Sequence, residues 1–146
     1  MGSGYDFENS FKHDLQEAFP SAYVHRFKQS KRGGQDWDLA IIRNGRPVFI
    51  ECKSRNVSKR RTWTLETLFR PGQLENQLAI TQRTNIDSYL AFEMRRGRGK
   101  SKQAVLIDLE QVPGAKLNLE TLDIGVEIKR DGTQYRAPEV LENERE

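Results

Sequence analysis

The dipeptide Asn44-Gly45 lies between two apolar runs, Leu39-Ala40-Ile41-Ile42 and Val48-Phe49-Ile50, and restricts the fold more than any other feature of the chain. A two-residue reversal between strands needs positive φ at both central positions, which Asn and Gly tolerate best. With so tight a turn, Arg43 faces Arg46 and the numbers of paired residues sum to 89, which sets Asp38 opposite Glu51. Counted outward from Arg43 and Arg46, that couple is a non-hydrogen-bonded one, in which Cα atoms approach to roughly 4.5 Å. Strand side chains alternate, so Lys53 shares the face of Glu51. Pro47 also falls at a non-hydrogen-bonded position, where its missing N–H costs the hairpin nothing. Both faces of the hairpin are apolar, with Ala40, Ile42 and Phe49 on one and Leu39, Ile41, Val48 and Ile50 on the other. The expectation is a central hairpin covered from both sides.

Two carboxylates set face to face in a sheet repel one another. Lys53 alone can offset them in a plain salt-bridge cluster. A hard divalent cation, Mg²⁺ or Mn²⁺, can do so too, because convergent carboxylate oxygens are what such ions bind. The hairpin by itself leaves both readings open.

Phe7, Phe11, Leu15 and Phe19 recur every four residues with Ala18 filling the stripe, which predicts an amphipathic first helix ended by Pro20. A second helix is expected over Gly72 to Thr84, with Leu74, Leu78 and Ala79 facing inward. Ser88 to Arg95 and Gln103 to Leu109 read as strands, and Ile124 to Lys129 with Thr133 to Arg136 as a peripheral hairpin around Asp131-Gly132. The sum is an α/β fold, a central mixed β-sheet flanked by helices. Residues 1–138 are expected to form a single domain and 139–146 an acidic, frayed tail.

The 146 residues are enough for one domain with a true core. One cysteine, Cys52, excludes an internal disulfide framework and a cysteine-based zinc site, which points to a reducing, cytoplasmic setting. No stretch is apolar for long enough to cross a bilayer, and no membrane partner is expected. The net charge of +3 is unevenly spread. Between Arg26 and Arg61, 11 basic residues stand against three acids, and Arg95 to Lys102 adds five cations with no acid. Such clustering reads as a phosphate-binding footprint, against the plainer reading of solvated loops. Arg26, Lys31, Arg32, Arg55, Lys59, Arg60 and Arg61 are the candidate phosphate contacts as a group. Trp63, beside Arg60 and Arg61, either stacks on an unpaired base or packs beneath a loop. His13 and His25 have no metal-ligand spacing, and the Cys52 thiol, opposite in sense to Glu51, is expected to be core filler.

Asp38, twelve residues, then Glu51-Cys52-Lys53 has the form of the PD-(D/E)xK nuclease motif. The whole run from Asp38 to Arg55, Asn-Gly tip and trailing Lys-Ser-Arg included, resembles the archaeal-type Holliday-junction resolvases of that superfamily. Gly4-Tyr-Asp-Phe-Glu8 is similar to the segment that opens their first helix with a Glu. Arg70-Pro71-Gly72-Gln73 is similar to their helix-opening segment bearing a Gln. Two departures stand out: Trp37 replaces the usual Pro before Asp38, and the interval from Gly4 to Asp38 is short. The resemblance covers about Gly4 to Leu109.

The resemblance implies a restriction-endonuclease-like core and a Mg²⁺-dependent endodeoxyribonuclease, with Mn²⁺ as substitute. It implies that Asp38 and Glu51 bind the metal through side chains, Cys52 through its backbone carbonyl, and Glu8 directly or through water. Lys53 would orient or deprotonate the attacking water, and Gln73 would position that water or the phosphate. Ser30 resembles a serine in the substrate loop of the resolvases. The implied substrate is a four-way DNA junction. Paired nicks in a two-fold symmetric substrate then call for a homodimer. A sequence-specific or repair endonuclease on the same fold, and a non-catalytic DNA-binding protein using the basic surface alone, are the rival readings.

Overall fold

A computed structural model describes residues 3–27, 37–96, 102–131 and 134–136. In chain order the elements are α1 (Ser3–Ala18), β1 (Tyr23–Arg26), β2 (Leu39–Arg43), β3 (Arg46–Asn56), β4 (Thr62–Thr64), α2 (Gln73–Thr84), β5 (Asp87–Arg95), β6 (Lys102–Asp108), β7 (Lys116–Asn118), β8 (Val126–Ile128), β9 (Arg130–Asp131) and β10 (Gln134–Tyr135). A short 3₁₀ turn, Leu65–Leu68, follows β4, and another, Leu109–Gln111, follows β6.

The apolar stripe of α1 buries Phe7, Phe11 and Leu15, and the helix stops at Ala18, two residues before Pro20. Gln16 secures the turn that follows, donating from Nε2 to Ala22 O at 3.0 Å and accepting from Val24 N at 3.3 Å. Asn44 (φ 51°) and Gly45 (φ 73°) make the tight reversal, and the register runs from Arg43 opposite Arg46 to Leu39 opposite Ile50. Pro47 pairs with Ile42 and precedes the β5 ladder, which starts at Val48, so its missing N–H breaks no bond on either side.

The main sheet has the order β1-β2-β3-β5-β6-β8, with β3 and β5 parallel and the other neighbours antiparallel. This is the expected mixed α/β sheet. One face packs on α1 through Phe11, Leu15, Leu39, Ile41, Ile50 and Ala91. The other face gathers Leu65, Leu68, Leu74, Leu90, Phe92, Val105, Ile107 and Leu117. Each large apolar side chain so enclosed contributes about 1.5–3 kcal/mol.

Several expectations are corrected. The hairpin is central, but its second face opens toward the turn, where Ile42 is 38% exposed. In α2 the inward residues are Leu74, Gln77 and Thr81, while Leu78 is half-buried and Ala79 exposed. Polar partners beneath the helix account for the rotation: Thr81 meets Ser88 at 2.9 Å and Gln77 meets Glu51 at 3.0 Å. Of the expected peripheral hairpin, only the β9–β10 part forms, with Arg136 N also donating to Lys129 O at 2.7 Å, and Thr133 lies outside the described residues. Its Val126–Ile128 portion joins the main sheet beside β6 instead. The strands β1, β4 and β7 were not foreseen. Each is only three or four residues long, too short for a period to show. The polar, basic run from Gln29 to Gln35, which the sequence reads as a loop, most of the second basic cluster and the tail lie outside the described residues.

Candidate active site

The site forms where β2 ends and β3 continues. The β2–β3 ladder ends at Leu39 and Ile50, whereas β3 stays paired with β5 as far as Asn56. Residues 51 to 56 therefore have a strand on one side only. Asp38 sits at the divergence. Its amide donates to Ile50 O at 3.2 Å, and its Oδ2 accepts from Cys52 N at 2.8 Å. Asp38 and Glu51 are therefore not a ladder pair as expected: Asp38 is fastened by its amide to Ile50 and by its carboxylate to Cys52, which still leaves it close enough to Glu51 for the two charges to act on each other. The N–H and C=O of one strand residue point the same way, so the Cys52 carbonyl faces the Asp38 side as well.

Glu51 is 3% exposed and lies in a ring of donors. Lys53 Nζ is 3.2 Å from Oε2, Gln73 Nε2 donates to Oε2 at 3.2 Å, and Gln77 Nε2 donates to Oε1 at 3.0 Å. Lys53 also donates to Gln73 Oε1 at 3.3 Å and lies 5.4 Å from the centroid of the Phe69 ring. Gln73 holds its place by accepting from Arg70 N at 3.1 Å. Even so, burial and then the neighbouring charge of Asp38 push the Glu51 carboxyl up to about 7, against the pull of Lys53.

Glu8 enters from α1 and is buried. Burial, then Asp38, pushes its carboxyl up to about 8, although Arg26 Nη2 stands 3.4 Å from Oε1. Glu8 Oε2 is enclosed with no hydrogen-bond donor. Three buried acids, Glu8, Asp38 and Glu51, thus meet two cations, Arg26 and Lys53. In chemical terms the oxygens suit a hard divalent ion, since a surplus of carboxylate and an acceptor without a donor are both relieved by a cation. Among the described residues, no three His, Cys, Asp or Glu side chains form a ready metal cage. The fit therefore rests on the donor chemistry of Asp38 and Glu51 with a backbone carbonyl.

The structure brings Glu8, Asp38, Glu51, Lys53 and Gln73 into one connected region. The Cys52 thiol turns into the core on the α1 face, and burial pushes it well above the usual thiol range. Among the candidate phosphate contacts, Arg26 is held by Glu8, and Arg55 donates to the carbonyls of Ser54 and Leu68 at 2.9 and 3.4 Å. Both support the fold. In the second basic cluster, Arg95 donates to Ser54 Oγ and Arg96 to Leu119 O, so these two are also structural ties. Lys59, Arg60 and Arg61 are exposed, while Ser30, Lys31 and Arg32 lie outside the described residues. Gln77 is the site residue that sequence reasoning missed. Its signal is the four-residue spacing from Gln73, which puts both amides on one face of a helix.

Neither family models nor curated protein sequences give a match to this chain. Among solved structures, the chain is similar to Hjc from Archaeoglobus fulgidus, a Holliday junction resolvase from an archaeal hyperthermophile. The TM-score is 0.53 at 13% identity, covering 82% of this chain and 95% of the other. At that identity the likeness establishes a shared fold.

Proposed function

We propose that this protein is a metal-dependent endodeoxyribonuclease that resolves four-way DNA junctions as a homodimer. The observation that carries the reading is the surplus of buried carboxylate at the divergence of β2 and β3, with Lys53 beside it. The fold shared with a Holliday junction resolvase supports it, as does the resemblance of the Asp38-to-Arg55 run.

In this reading Asp38 and Glu51 would hold Mg²⁺ or Mn²⁺ with the Cys52 carbonyl, and Glu8 would act directly or through water. Bound there, the ion supplies Lewis-acid polarisation of a phosphoryl oxygen and lowers the pKa of its water. Gln73 and Gln77 keep the Glu51 oxygens oriented. Lys53 offsets negative charge growing on the phosphorus centre and exchanges a proton with the attacking water. Two nicks placed symmetrically in a four-way junction need two such sites, hence the dimer. Junction shape and phosphate contacts give the selectivity, because a mobile junction has no fixed base sequence to read.

The test is cleavage of a four-way junction and of a linear duplex of equal length, with and without Mg²⁺, by the wild type and Glu51→Ala. Nicking of the junction alone, dependent on Mg²⁺ and lost in the variant, is the expected result. Nicking by Glu51→Ala at the wild-type rate overturns the site assignment. Cleavage of the duplex at an equal rate overturns the substrate.

A further inference from the structure

The excursion between β3 and α2 contains a feature the catalytic reading does not use. β4 pairs with β7, some fifty residues later in sequence, with Thr64 opposite Lys116 and Trp63 opposite Leu117. A groove of about 610 Å³ opens along this ribbon, lined by Arg60, Arg61, Trp63, Lys116 and the threonines 62, 64 and 67. Its lining has three cations and no acid. Glu66, the acid beside Thr67 in sequence, accepts from Gly114 N at 2.8 Å, which anchors it to the backbone of the β7 approach. Trp63 is half-buried. Its ring packs against Phe92 at 5.9 Å between centroids, and the Arg60 guanidinium lies 4.3 Å from its centroid. The indole Nε1 is enclosed with no acceptor.

Three cations and three threonine hydroxyls along one groove call for an anion. The aromatic ring narrows the class further. A duplex offers phosphates but keeps its base faces stacked, whereas an unpaired strand offers both phosphates and a π-face. A concavity of this volume matches a small ligand site rather than the width of a duplex. The groove is joined to the site through the chain, because Thr67 lines it and the next two residues meet site side chains. Leu68 accepts from Arg55 at 3.4 Å, and Phe69, next in sequence, has its ring beneath Lys53. We infer that the β4–β7 groove binds the phosphate backbone of an unpaired DNA strand, with a base against the Arg60–Trp63 pair. This deepens the nuclease reading and rests on it only for the identity of the strand as DNA.

The probe is a fluorescein-labelled oligothymidylate 12-mer, about 12 nucleotides being within the span of single-strand sites, titrated in EDTA beside a duplex of the same length. Lys116 is exposed, so Lys116→Glu leaves the core untouched. It is expected to weaken binding of the single strand by about tenfold and to lower the slope of log K against log salt by about 0.7. Trp63→Leu, checked for its fold by circular dichroism, is expected to weaken the single strand by about tenfold, in line with the loss of one stacked base. Duplex affinity stays within twofold in both variants. If strand and duplex fall together, or neither falls, the groove assignment is overturned. Binding in EDTA does not depend on cleavage. A wild type that never nicks yet binds the strand through Lys116 therefore defeats the nuclease reading alone.

Discussion

Two glutamates on opposite faces of the same sheet, Glu51 and Glu93, are each 3% exposed, yet their surroundings differ in kind. Ser54 Oγ donates to Glu93 Oε1 at 2.6 Å and Tyr135 Oη donates to Oε2 at 2.7 Å. Arg95 Nε then donates to the same Ser54 hydroxyl at 3.1 Å. Each Glu93 oxygen has a neutral donor. Tyr135 also fastens the end of the described chain to α1, its amide donating to Asp14 Oδ2 at 2.9 Å. Burial and the Glu93 carboxylate together hold the Tyr135 hydroxyl far above the usual phenol range, so it stays a donor. Glu51 has three donors and is still pushed upward, first by burial and then by Asp38, which also acts on Glu8. A closed polar network rigidifies a fold. An acid cluster with more negative charge than its fixed donors can match is poised for a cation.

Exchanging the two glutamates breaks this comparison most sharply. Glu51→Gln is expected to remove Mg²⁺-dependent nicking to below detection while the melting temperature holds or rises, because a buried charge is replaced by its neutral isostere. Lys53→Ala should cost about 10²–10³-fold in the cleavage rate, the scale of losing one charge-stabilising donor. Glu93→Ala should do the reverse. It should lower stability by about 2–3 kcal/mol, through donors left buried and unmatched, and leave cleavage per folded molecule unchanged. If Glu93→Ala abolished nicking in a folded sample, the division between the two clusters would fail.

The two clusters should also differ in their response to pH. The Glu8 and Glu51 carboxyls lie at about 8 and 7 in the folded state, above their ordinary value of 4.5. Protonation therefore favours the folded chain. Stability from these groups is fully present below about pH 4.5 and is lost as pH rises through 7 to 8. Urea midpoints of the metal-free protein should fall as pH rises from about 4.5 to 8, and Glu51→Gln should flatten the curve. Mg²⁺ should raise the melting temperature more at pH 8 than at pH 5, since protons compete for the same oxygens. A wild-type stability that rises from pH 5 to 8 without metal would reverse this account. The smallest effect belongs to Tyr135→Phe, which removes one hydrogen bond to Glu93. It is expected to cost about 1 kcal/mol in urea unfolding and nothing in cleavage.

Local rules were enough to place the hairpin and much of the site. Asn44-Gly45 sets the register by turn geometry alone, and the register sets Asp38 near Glu51 and Lys53 on the same face. These steps span fewer than twenty residues and depend only on strand period and φ. The central position of β3 follows for the same reason, since a strand that is apolar on both faces must be covered on both. Glu8 and Gln73 were reached through resemblance, because no local period connects a residue of α1 or α2 with a strand twenty or more positions away in sequence.

Only the tertiary structure decided where the ladder ends, which residues of α2 turn inward, and which arginines are engaged in the fold. Gln77 displaces Ala79 from the interface because Glu51 lies beneath it, a pairing across 26 positions that helical propensity cannot encode. Arg55 and Arg95 read as phosphate contacts by composition, yet the backbone carbonyls and hydroxyl they meet come from β3 and Leu68. The β4–β7 ribbon could not be read in advance, since three-residue strands are selected by their distant partner rather than by their own pattern. What neighbouring residues impose on one another was legible in the chain. What distant residues impose waited for the fold, because burial and charge act through space and not along the sequence.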